Sequence, residues 1–221
     1  MNELLFFVTI ITNFVGILLA YKLFGKVGLF SWIALATVIA NIEVTKCVDM
    51  FGMSLTLGNV IYGSTFLATD MLSELYGGAE ARKGVLTGFF AMVAFTLMSQ
   101  VNLLFEPNNQ DFVSDAMKTI FSLTPRLCVA SMGAYLVSNL LDTYTYDWIK
   151  KKFPKQLWLR NNGSTMTSQL VDSFLFTFAA FYGVFDVPML FELSFTTYLI
   201  KVLTAACDTP FMYAARKMGA K

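Results

Sequence analysis

The sequence predicts an all-α fold, a polytopic membrane helix bundle with about seven transmembrane helices in a single domain over residues 1–221. The chain is 56% hydrophobic and only 14% charged, whereas about a quarter of the residues are charged in an ordinary soluble domain. Its mean hydropathy is +0.61. Apolar runs of about 20 residues, enough to cross a bilayer core as a helix, follow one another along the chain. Because backbone groups in lipid must pair within their own segment, and no barrel-type alternation is present, we expect helices.

Seven apolar runs mark the expected spans. They lie near residues 3–24, 29–50, 58–78, 84–105, 120–148, 164–185 and 193–216. The first run follows one acid and no Lys or Arg, and no small-residue cleavage site follows it, so it is interpreted as a span and not as a signal peptide. The first and fourth runs carry almost no ionisable residue, and we expect them to face lipid as scaffold.

Basic residues gather in every second loop, which predicts the orientation. Twelve of the 16 basic residues lie on one side of the predicted bundle, and such loops normally stay cytoplasmic. They are Lys22, Lys26, Arg82, Lys83, Lys150, Lys151, Lys152, Lys155, Arg160, Arg216, Lys217 and Lys221. Trp148 and Trp158 flank the most basic loop, as interfacial anchors do. The chain is therefore expected to be a multi-pass protein of the cytoplasmic (inner) membrane, with its N-terminus outside and its C-terminus inside.

The predicted spans contain many ionisable residues, which cost about 2.5–3.5 kcal/mol each on insertion scales and normally mark a substrate or ion path. The acids are Glu43, Asp49, Asp70, Glu74, Asp142, Asp172 and Asp208, and the bases are Lys46, Arg126 and Lys201. The seven acids outnumber the three bases by four, so pairing cannot neutralise all of them. Some acids must therefore be protonated, or they await a cationic or hydrogen-bond-donating ligand. Depth estimated at about 1.5 Å per residue places Lys201 in the outer half, and Asp172 in a wholly acidic inner layer.

Two patterns locate this polar path on particular helices. In the third span, polar and aromatic residues recur at spacings of three and four and so share one helix face. They are Asn59, Tyr62, Phe66, Asp70 and Glu74. The segments 138–142 (SNLLD) and 168–172 (SQLVD) repeat one pattern on helices of opposite direction, which fits an internal duplication folded as an inverted pair.

Each polar residue also has a purely structural interpretation. Glu74 could pair with Arg82 or Lys83 near the inner surface, and Arg126 and Lys201 could each neutralise a neighbouring acid. Phe-rich stretches such as residues 174–178 are typical of packing or lipid-facing surface.

Recognisable catalytic patterns are absent from the sequence. The chain has no His, and it has no HExxH, GxSxG or P-loop pattern. Its three cysteines lack CxxC spacing and lie in apolar runs, so we expect packing residues and not metal ligands. With a net charge of +1, no nucleic-acid partner is expected. We predict no enzyme activity, no cofactor and no metal site, and a carrier is favoured over a channel because no Gly-rich filter accompanies the acids.

An ordered set of segments carries a resemblance to a known family. Residues 58–77 read GNVIYGSTFLATDMLSELYG and precede Ala81-Arg82. Further matching pieces follow in order: Arg126, Ala130-Ser131, Tyr135 to Ser138, Asp142, Trp158 to Asn161, Ser164-Thr165, Ser168 to Ser173, Tyr198 to Lys201, and Asp208-Thr209-Pro210. This set resembles the queuosine-precursor transporter family, also described as vitamin uptake transporters. The resemblance covers about residues 40–215, and residues 1–28 form an extra N-terminal span outside it.

The resemblance implies import of a 7-deazaguanine, such as 7-cyano-7-deazaguanine, 7-aminomethyl-7-deazaguanine or queuine, for tRNA modification. A carboxylate could accept the ring N–H and the exocyclic amine of a guanine-like edge, while an aromatic ring stacks on the base. Asp70 or Glu74 is the first choice for that carboxylate, with Asp142 and Asp172 binding substrate or carrying a coupling proton. The candidate substrate-binding residues are Asn59, Tyr62, Phe66, Asp70, Glu74, Arg126, Asn139, Asp142, Gln169, Asp172 and Lys201.

Two alternatives stay open at this point. The cargo could be another vitamin or purine-like compound, since an acidic, aromatic-lined pocket suits many heterocycles. The chain could instead be a membrane packing or assembly protein whose buried charges only specify helix contacts; it should then tolerate Asp70→Asn or Asp172→Asn with no loss beyond folding. The expected partners are the small-molecule substrate, membrane lipid and a second copy of the chain in a possible homodimer. The energy source is not predicted.

Overall fold

The computed structural model describes residues 1–43, 46–121 and 125–219. Lys221, and the side chains of Cys47 and Cys128, lie outside that description. Within it, the elements in chain order are α1 Asn2–Glu43, β1 Cys47–Met50, β2 Met53–Thr56, α2 Gly58–Leu75, α3 Gly78–Asn102, α4 Ser114–Phe121, α5 Pro125–Lys152, α6 Leu157–Phe181, α7 Val187–Ala206 and α8 Thr209–Met218.

The first two predicted spans form a helical hairpin inside α1. Gly25 has φ 58° and ψ −136°, a conformation that glycine adopts readily and L side chains rarely do. A Cβ placed on Gly16 would come within 2.5 Å of the Trp32 ring. A straight helix would separate those two positions by about 24 Å, so the chain reverses at Gly25. The break falls between the two predicted runs, as expected.

The second predicted span is too long at its C-terminal end. Helix α1 ends at Glu43, and Cys47 pairs with Thr56 and Met50 with Met53 in a short antiparallel hairpin. This hairpin is the one sheet among the described residues, and the other elements are helices. Phe51, at φ 53°, and Gly52, at φ 74°, form the turn, since both backbone positions lie in the left-handed region typical of tight hairpins.

Helix α2 runs through the centre of the bundle. It contacts α1, α3, α5, α6, α7 and α8, and the stretch from Ser64 to Ser73 is buried on every face. Its hydroxyl side chains donate to carbonyls of the preceding turn, as Thr65 does to Tyr62 at 2.7 Å and Thr69 to Phe66 at 2.9 Å. Because these hydroxyls are satisfied within the helix, its longer polar side chains are left to face neighbouring helices.

The last predicted span is interrupted near its end. Helix α7 ends at Ala206, and α8 starts at Thr209 with Pro210 in its first turn. Pro210 lacks a backbone N–H and is tolerated at that position. The loop before α5 contains the short helix α4, where Asp111 accepts backbone N–H groups of Val113 and Ser114. Hydrogen bonding to Ser114 lowers the pKa of Asp111 below its ordinary value.

Three described helical stretches are long and apolar enough to cross a membrane by length and composition: Asn2–Glu43, Gly78–Asn102 and Val187–Met218. Many of their apolar side chains are exposed on the outside, such as Leu4 at 70%, Leu97 at 62% and Phe195 at 54%. Helices α2, α5 and α6 are 18, 28 and 25 residues long and carry the buried polar residues. The chain is therefore a membrane protein whose apolar helices surround a polar interior.

Candidate functional site: a polar cavity above two buried charge clusters

A cavity of about 80 Å³ lies between α1, α2, α3, α5, α6 and α7. Its polar lining consists of Thr37, Asn41, Asn59, Tyr62, Ser131, Tyr135, Asp172 and Lys201. Met92 and Phe176 contribute apolar surface. The cavity thus combines a charged pair with aromatic and apolar walls.

Asp172 organises the polar wall of this cavity. Its Oδ1 accepts hydrogen bonds from the Tyr62 hydroxyl and the Ser138 hydroxyl, each at 2.9 Å. Its Oδ2 accepts one from Lys201, and both members of this ion pair are 5% exposed. Lys201 also lies over the Tyr62 ring, 5.3 Å from its centroid. The pair therefore presents hydrogen-bond acceptors and donors side by side at the cavity.

The Tyr62 ring is held on both sides. Phe66 packs edge-on against it at a centroid distance of 5.5 Å, and Tyr135 lies 6.0 Å away. The Asn139 amide donates to the Tyr62 hydroxyl at 3.2 Å and to the Tyr135 carbonyl at 3.0 Å. Phe66 and Asn139 therefore support the cavity wall from behind.

The two repeated segments contact each other reciprocally across α5 and α6. Ser138 donates to Asp172 at 2.9 Å, and Ser168 donates to Asp142 at 3.0 Å. The amide oxygens of Asn139 and Gln169, the second residues of the two segments, are both buried without a hydrogen-bond partner among the described residues. The antiparallel placement that the repeat predicted is therefore present as a local pseudo-twofold arrangement.

A second cluster lies next to the cavity and consists of carboxyl groups. Asp70 and Asp142 are 0% exposed and Asp208 is 1% exposed. The Asp70 and Asp142 carboxyls interact electrostatically with each other, and Asp208 interacts with both. We call these three residues the carboxyl trio. None of them lines the cavity.

A third cluster surrounds Glu74, near the end of α2. Arg160, 1% exposed, donates from Nε at 3.0 Å and from Nη2 at 2.6 Å. Tyr146 donates at 3.1 Å, and Lys150 and Arg216 lie within 3.3 and 3.4 Å. We call this the Glu74 network, and its geometry is that of a bidentate buried ion pair.

The partners predicted for Glu74 were wrong. Arg82 instead pairs with Asp147 at 3.4 Å, and Lys83 pairs with Glu80 at 2.6 Å. The turn between α2 and α3 carries both basic residues away from Glu74, whereas α5, α6 and α8 deliver theirs to it.

Comparisons with known proteins show which family the chain belongs to. A family model described as "Putative vitamin uptake transporter" matches residues 56–215. A Bacillus subtilis (strain 168) protein named "Probable queuosine precursor transporter" is 48% identical over 210 residues, which cover 94% of this chain and 92% of that protein. The chain belongs to the vitamin uptake transporter family.

Two further relatives carry related names. A "Probable queuosine precursor transporter" of Haemophilus influenzae is 30% identical over 69% of this chain and 64% of that protein. A "Queuosine precursor transporter" of Escherichia coli (strain K12) is 27% identical over 83% of this chain and 81% of that protein. No solved structure matches the chain. The resemblance drawn from the sequence is confirmed, and the family is one of transporters.

In this member of the vitamin uptake transporter family, the predicted site residues separate into groups. Asn59, Tyr62, Asp172 and Lys201 line the cavity. The other predicted residues do not line it: Phe66, Asn139, Asp70, Asp142, Glu74, Gln169 and Arg126. Gln169 is buried at 1% exposure. Arg126 is exposed and donates to the carbonyls of Ala179 at 2.8 Å and Tyr182 at 2.6 Å.

Several residues of the site were missed from the sequence. Thr37 and Asn41 line the cavity from α1, and Ser131 and Tyr135 from α5. Thr37 and Asn41 stand one helical turn apart in an otherwise apolar run, a spacing that would have marked a polar face. Arg160 was counted only as a loop cation, although it lies at the fourth position of α6 and is buried.

Proposed function

We propose that this chain imports queuosine precursors of the 7-deazaguanine class, namely 7-cyano-7-deazaguanine, 7-aminomethyl-7-deazaguanine or queuine. Membership of the vitamin uptake transporter family and the names of three relatives support this cargo. The single observation that carries the proposal is a buried carboxylate, Asp172, facing the cavity beside a cation and aromatic rings. No catalytic step is part of this function.

The substrate's guanine-like edge pairs with Asp172. Tyr62, Ser138 and Lys201 occupy part of the acceptor capacity of this carboxylate; an ionised carboxylate has about four lone-pair sites, which leaves room on Oδ2 for a ring N–H or the exocyclic amine. Lys201 has three N–H donors and can offer one to the base carbonyl. We therefore propose that Asp172 is the carboxylate that binds the substrate, and that Asp70 and Glu74 are not.

The aromatic wall binds the flat face of the base. Tyr62, Tyr135 and Phe176 all line the cavity, and aromatic rings provide large apolar contact area with defined geometry. Asn59 lies at the N-terminal end of α2 on the same lining and serves as a further polar contact. Phe66, Asn139 and Gln169 do not line the cavity and support this wall from behind.

The chain spans the cytoplasmic membrane seven times, with its N-terminus outside and its C-terminus inside. The two halves of α1, then α2, α3, α5, α6 and the α7–α8 pair supply seven membrane-length segments in the described chain. The basic loops support this orientation. The cavity is then nearer the outer side, and the Glu74 network is on the inner side. Alkaline phosphatase fused to the C-terminus should be inactive; an active fusion would overturn the orientation.

Membrane lipid, and a second copy of the chain in a homodimer, stay predicted partners. As predicted from the sequence, no nucleic-acid partner is proposed.

The function is tested by uptake of the three labelled compounds into cells that cannot make queuosine. We expect saturable uptake of at least one compound above the empty vector, and its loss in Asp172→Asn at matched membrane levels. Asp147→Asn is the matched control because Asp147 pairs with Arg82 away from the cavity, and it should transport normally. No uptake of any of the three compounds by the wild type would overturn this cargo.

A further inference from the structure

Among the described residues, no cation neutralises the carboxyl trio. Its side-chain hydrogen-bond donors are neutral: Thr165 to Asp70 at 3.5 Å, Ser168 to Asp142 at 3.0 Å and Asn161 to Asp208 at 2.5 Å. The ion pairs recorded for the described residues include none of the three acids. Because an ionised carboxylate that is buried without a partner is strongly unfavourable, something else must supply positive charge.

Unpartnered polar atoms point to what is missing. Asp70 Oδ1 and Asp142 Oδ2 are buried and have no hydrogen-bond donor among the described residues. The two carboxyls nevertheless interact electrostatically with each other. Asn161, whose amide nitrogen donates to Asp208, has its amide oxygen equally buried and unpartnered. Buried carboxyl groups that interact with one another and have no cation among the described residues are more stable when protonated, so the cluster requires at least one bound proton.

A metal ion fits this position less well than a proton. In the described part of the chain, no group of three or more carboxylates, thiols or imidazoles is arranged to hold a metal ion. The other titratable groups facing the trio are Tyr146, which interacts with Asp70, and Cys207, which interacts with Asp208. The nearby cations Arg160, Lys150 and Arg216 are engaged by Glu74.

The reciprocal repeat separates the roles of two equivalent aspartates. Asp172 and Asp142 occupy matching places in the two segments, and each accepts a hydrogen bond from the serine of the other segment. Lys201 neutralises Asp172. Asp142 instead faces a second carboxyl, Asp70. One copy of the pattern therefore has a lysine as the partner of its aspartate, and the other has a second carboxyl group.

Resting on the proposed import function, we propose that Asp70, Asp142 and Asp208 form a proton-binding site that couples import to the proton gradient. The same helices build this site and the cavity wall. On α2, Tyr62 and Asp70 are separated by about 12 Å along the helix axis, and on α5 Ser138 and Asp142 by about 6 Å. Loss of the shared proton creates like charges between α2 and α5, which favours a different packing of the helices that hold the substrate.

The test uses the purified full chain reconstituted in liposomes, with labelled 7-cyano-7-deazaguanine as the probe. Three quantities are measured: exchange of labelled for unlabelled compound at equal pH, accumulation driven by an acidic exterior with the membrane potential clamped, and the infrared band of protonated carboxyl groups at neutral pH. Asp142→Asn is compared with Asp147→Asn, an identical change on the same helix outside the trio.

We expect the acidic exterior to drive accumulation in the wild type and in Asp147→Asn. Asp142→Asn should keep exchange, but its gradient-driven accumulation should fall by on the order of tenfold relative to the wild type. Its protonated-carboxyl band should weaken or shift. Accumulation that ignores the pH gradient, follows a sodium gradient instead, or survives in Asp142→Asn would overturn the proposal. So would the absence of the infrared band in the wild type.

The infrared measurement separates this proposal from the proposed cargo. A wild-type band that changes in Asp142→Asn and not in Asp147→Asn would support the proton site, whether or not 7-cyano-7-deazaguanine is exchanged. A lack of exchange of this compound would count against the proposed cargo alone.

Discussion

At the residue scale, the buried pair Asp172 and Lys201 determines what the cavity can bind. Both side chains are 5% exposed, and removing one partner of a buried pair leaves an uncompensated charge. The same two groups provide acceptor and donor positions for a heterocyclic base. Stability and binding should therefore respond differently to single and double substitutions of this pair.

We predict that Lys201→Met lowers the free energy of unfolding by about 3–5 kcal/mol, because Asp172 is left buried without its cation. The double variant Asp172→Asn/Lys201→Met should recover much of this loss, since no charge then remains, yet it should not transport. Thermal unfolding of the detergent-purified variants measures the effect. A double variant as unstable as Lys201→Met alone would contradict the assignment of this pair.

Tyr62→Phe removes a hydroxyl that donates to Asp172 and accepts from Asn139, while keeping the ring. One such hydrogen bond contributes about 1 kcal/mol, so the substrate concentration giving half-maximal uptake should rise about fivefold. Tyr144→Phe, at a side chain that is 58% exposed, is the control and should leave uptake unchanged. An unaltered half-saturating concentration in Tyr62→Phe would remove the hydroxyl from the binding site.

The ion pair at the cavity could not be predicted from the sequence, although each of its residues was. Depth estimates separated Asp172 and Lys201 into inner and outer layers. Helix α6 begins at Leu157, seven residues before the predicted start at 164, and α7 begins at Val187, six residues before the predicted start at 193. These shifts move Asp172 outward and Lys201 inward along their helices until they meet. Span boundaries, and not residue identities, limited the prediction.

At the element scale, the turn inside α1 depends on one glycine. Gly25→Ala should lower the free energy of unfolding by roughly 1–3 kcal/mol, because alanine is strained at φ 58° and ψ −136°. Gly133→Ala is the matched control, since a Cβ there meets nothing within 4 Å and alanine favours a helix interior. The unfolding midpoints of the two variants test this; equal midpoints would place the reversal elsewhere.

The Glu74 network should stabilise the inner end of the bundle. Arg160→Met removes the bidentate partner of Glu74 at a position that is 1% exposed, and we expect a loss of about 3 kcal/mol. Arg82→Met breaks a longer, more exposed pair with Asp147 and should cost no more than about 1 kcal/mol. Chemical denaturation can compare the two variants. If Arg160→Met loses no more stability than Arg82→Met, the Glu74 network does not stabilise the inner end of the bundle.

The elements that the sequence placed best are α2 and the first half of α1, since both begin within one residue of the predicted start. The strands Cys47–Met50 and Met53–Thr56 were missed because four residues are too few for a strand pattern, and the apolar run before them reads as continuing helix. The short helix α4 was interpreted as loop. The break between α7 and α8 carried a signal, Pro210, which the apolar composition around it outweighed.

At the scale of the whole molecule, the interior is divided into three polar layers along α2. Tyr62 faces the cavity, Asp70 belongs to the carboxyl trio and Glu74 lies in its own network. The stripe on the third predicted span was therefore a sound guide to the polar interior. Its division into layers depends on partners from α5, α6, α7 and α8, which periodicity within one helix cannot supply.

The central claim is that Asp172 recognises the guanine-like edge of the cargo. It is tested most directly by equilibrium binding of 7-cyano-7-deazaguanine, and of the analogue lacking the exocyclic amine, to the purified wild type, Asp172→Asn and Asp147→Asn. An unpaired buried polar group costs about 1–3 kcal/mol. The wild type and Asp147→Asn should therefore bind the complete base on the order of tenfold more tightly than the analogue. Asp172→Asn should bind both compounds weakly and without preference. Equal affinities in the wild type, or a preference retained in Asp172→Asn, would contradict the account.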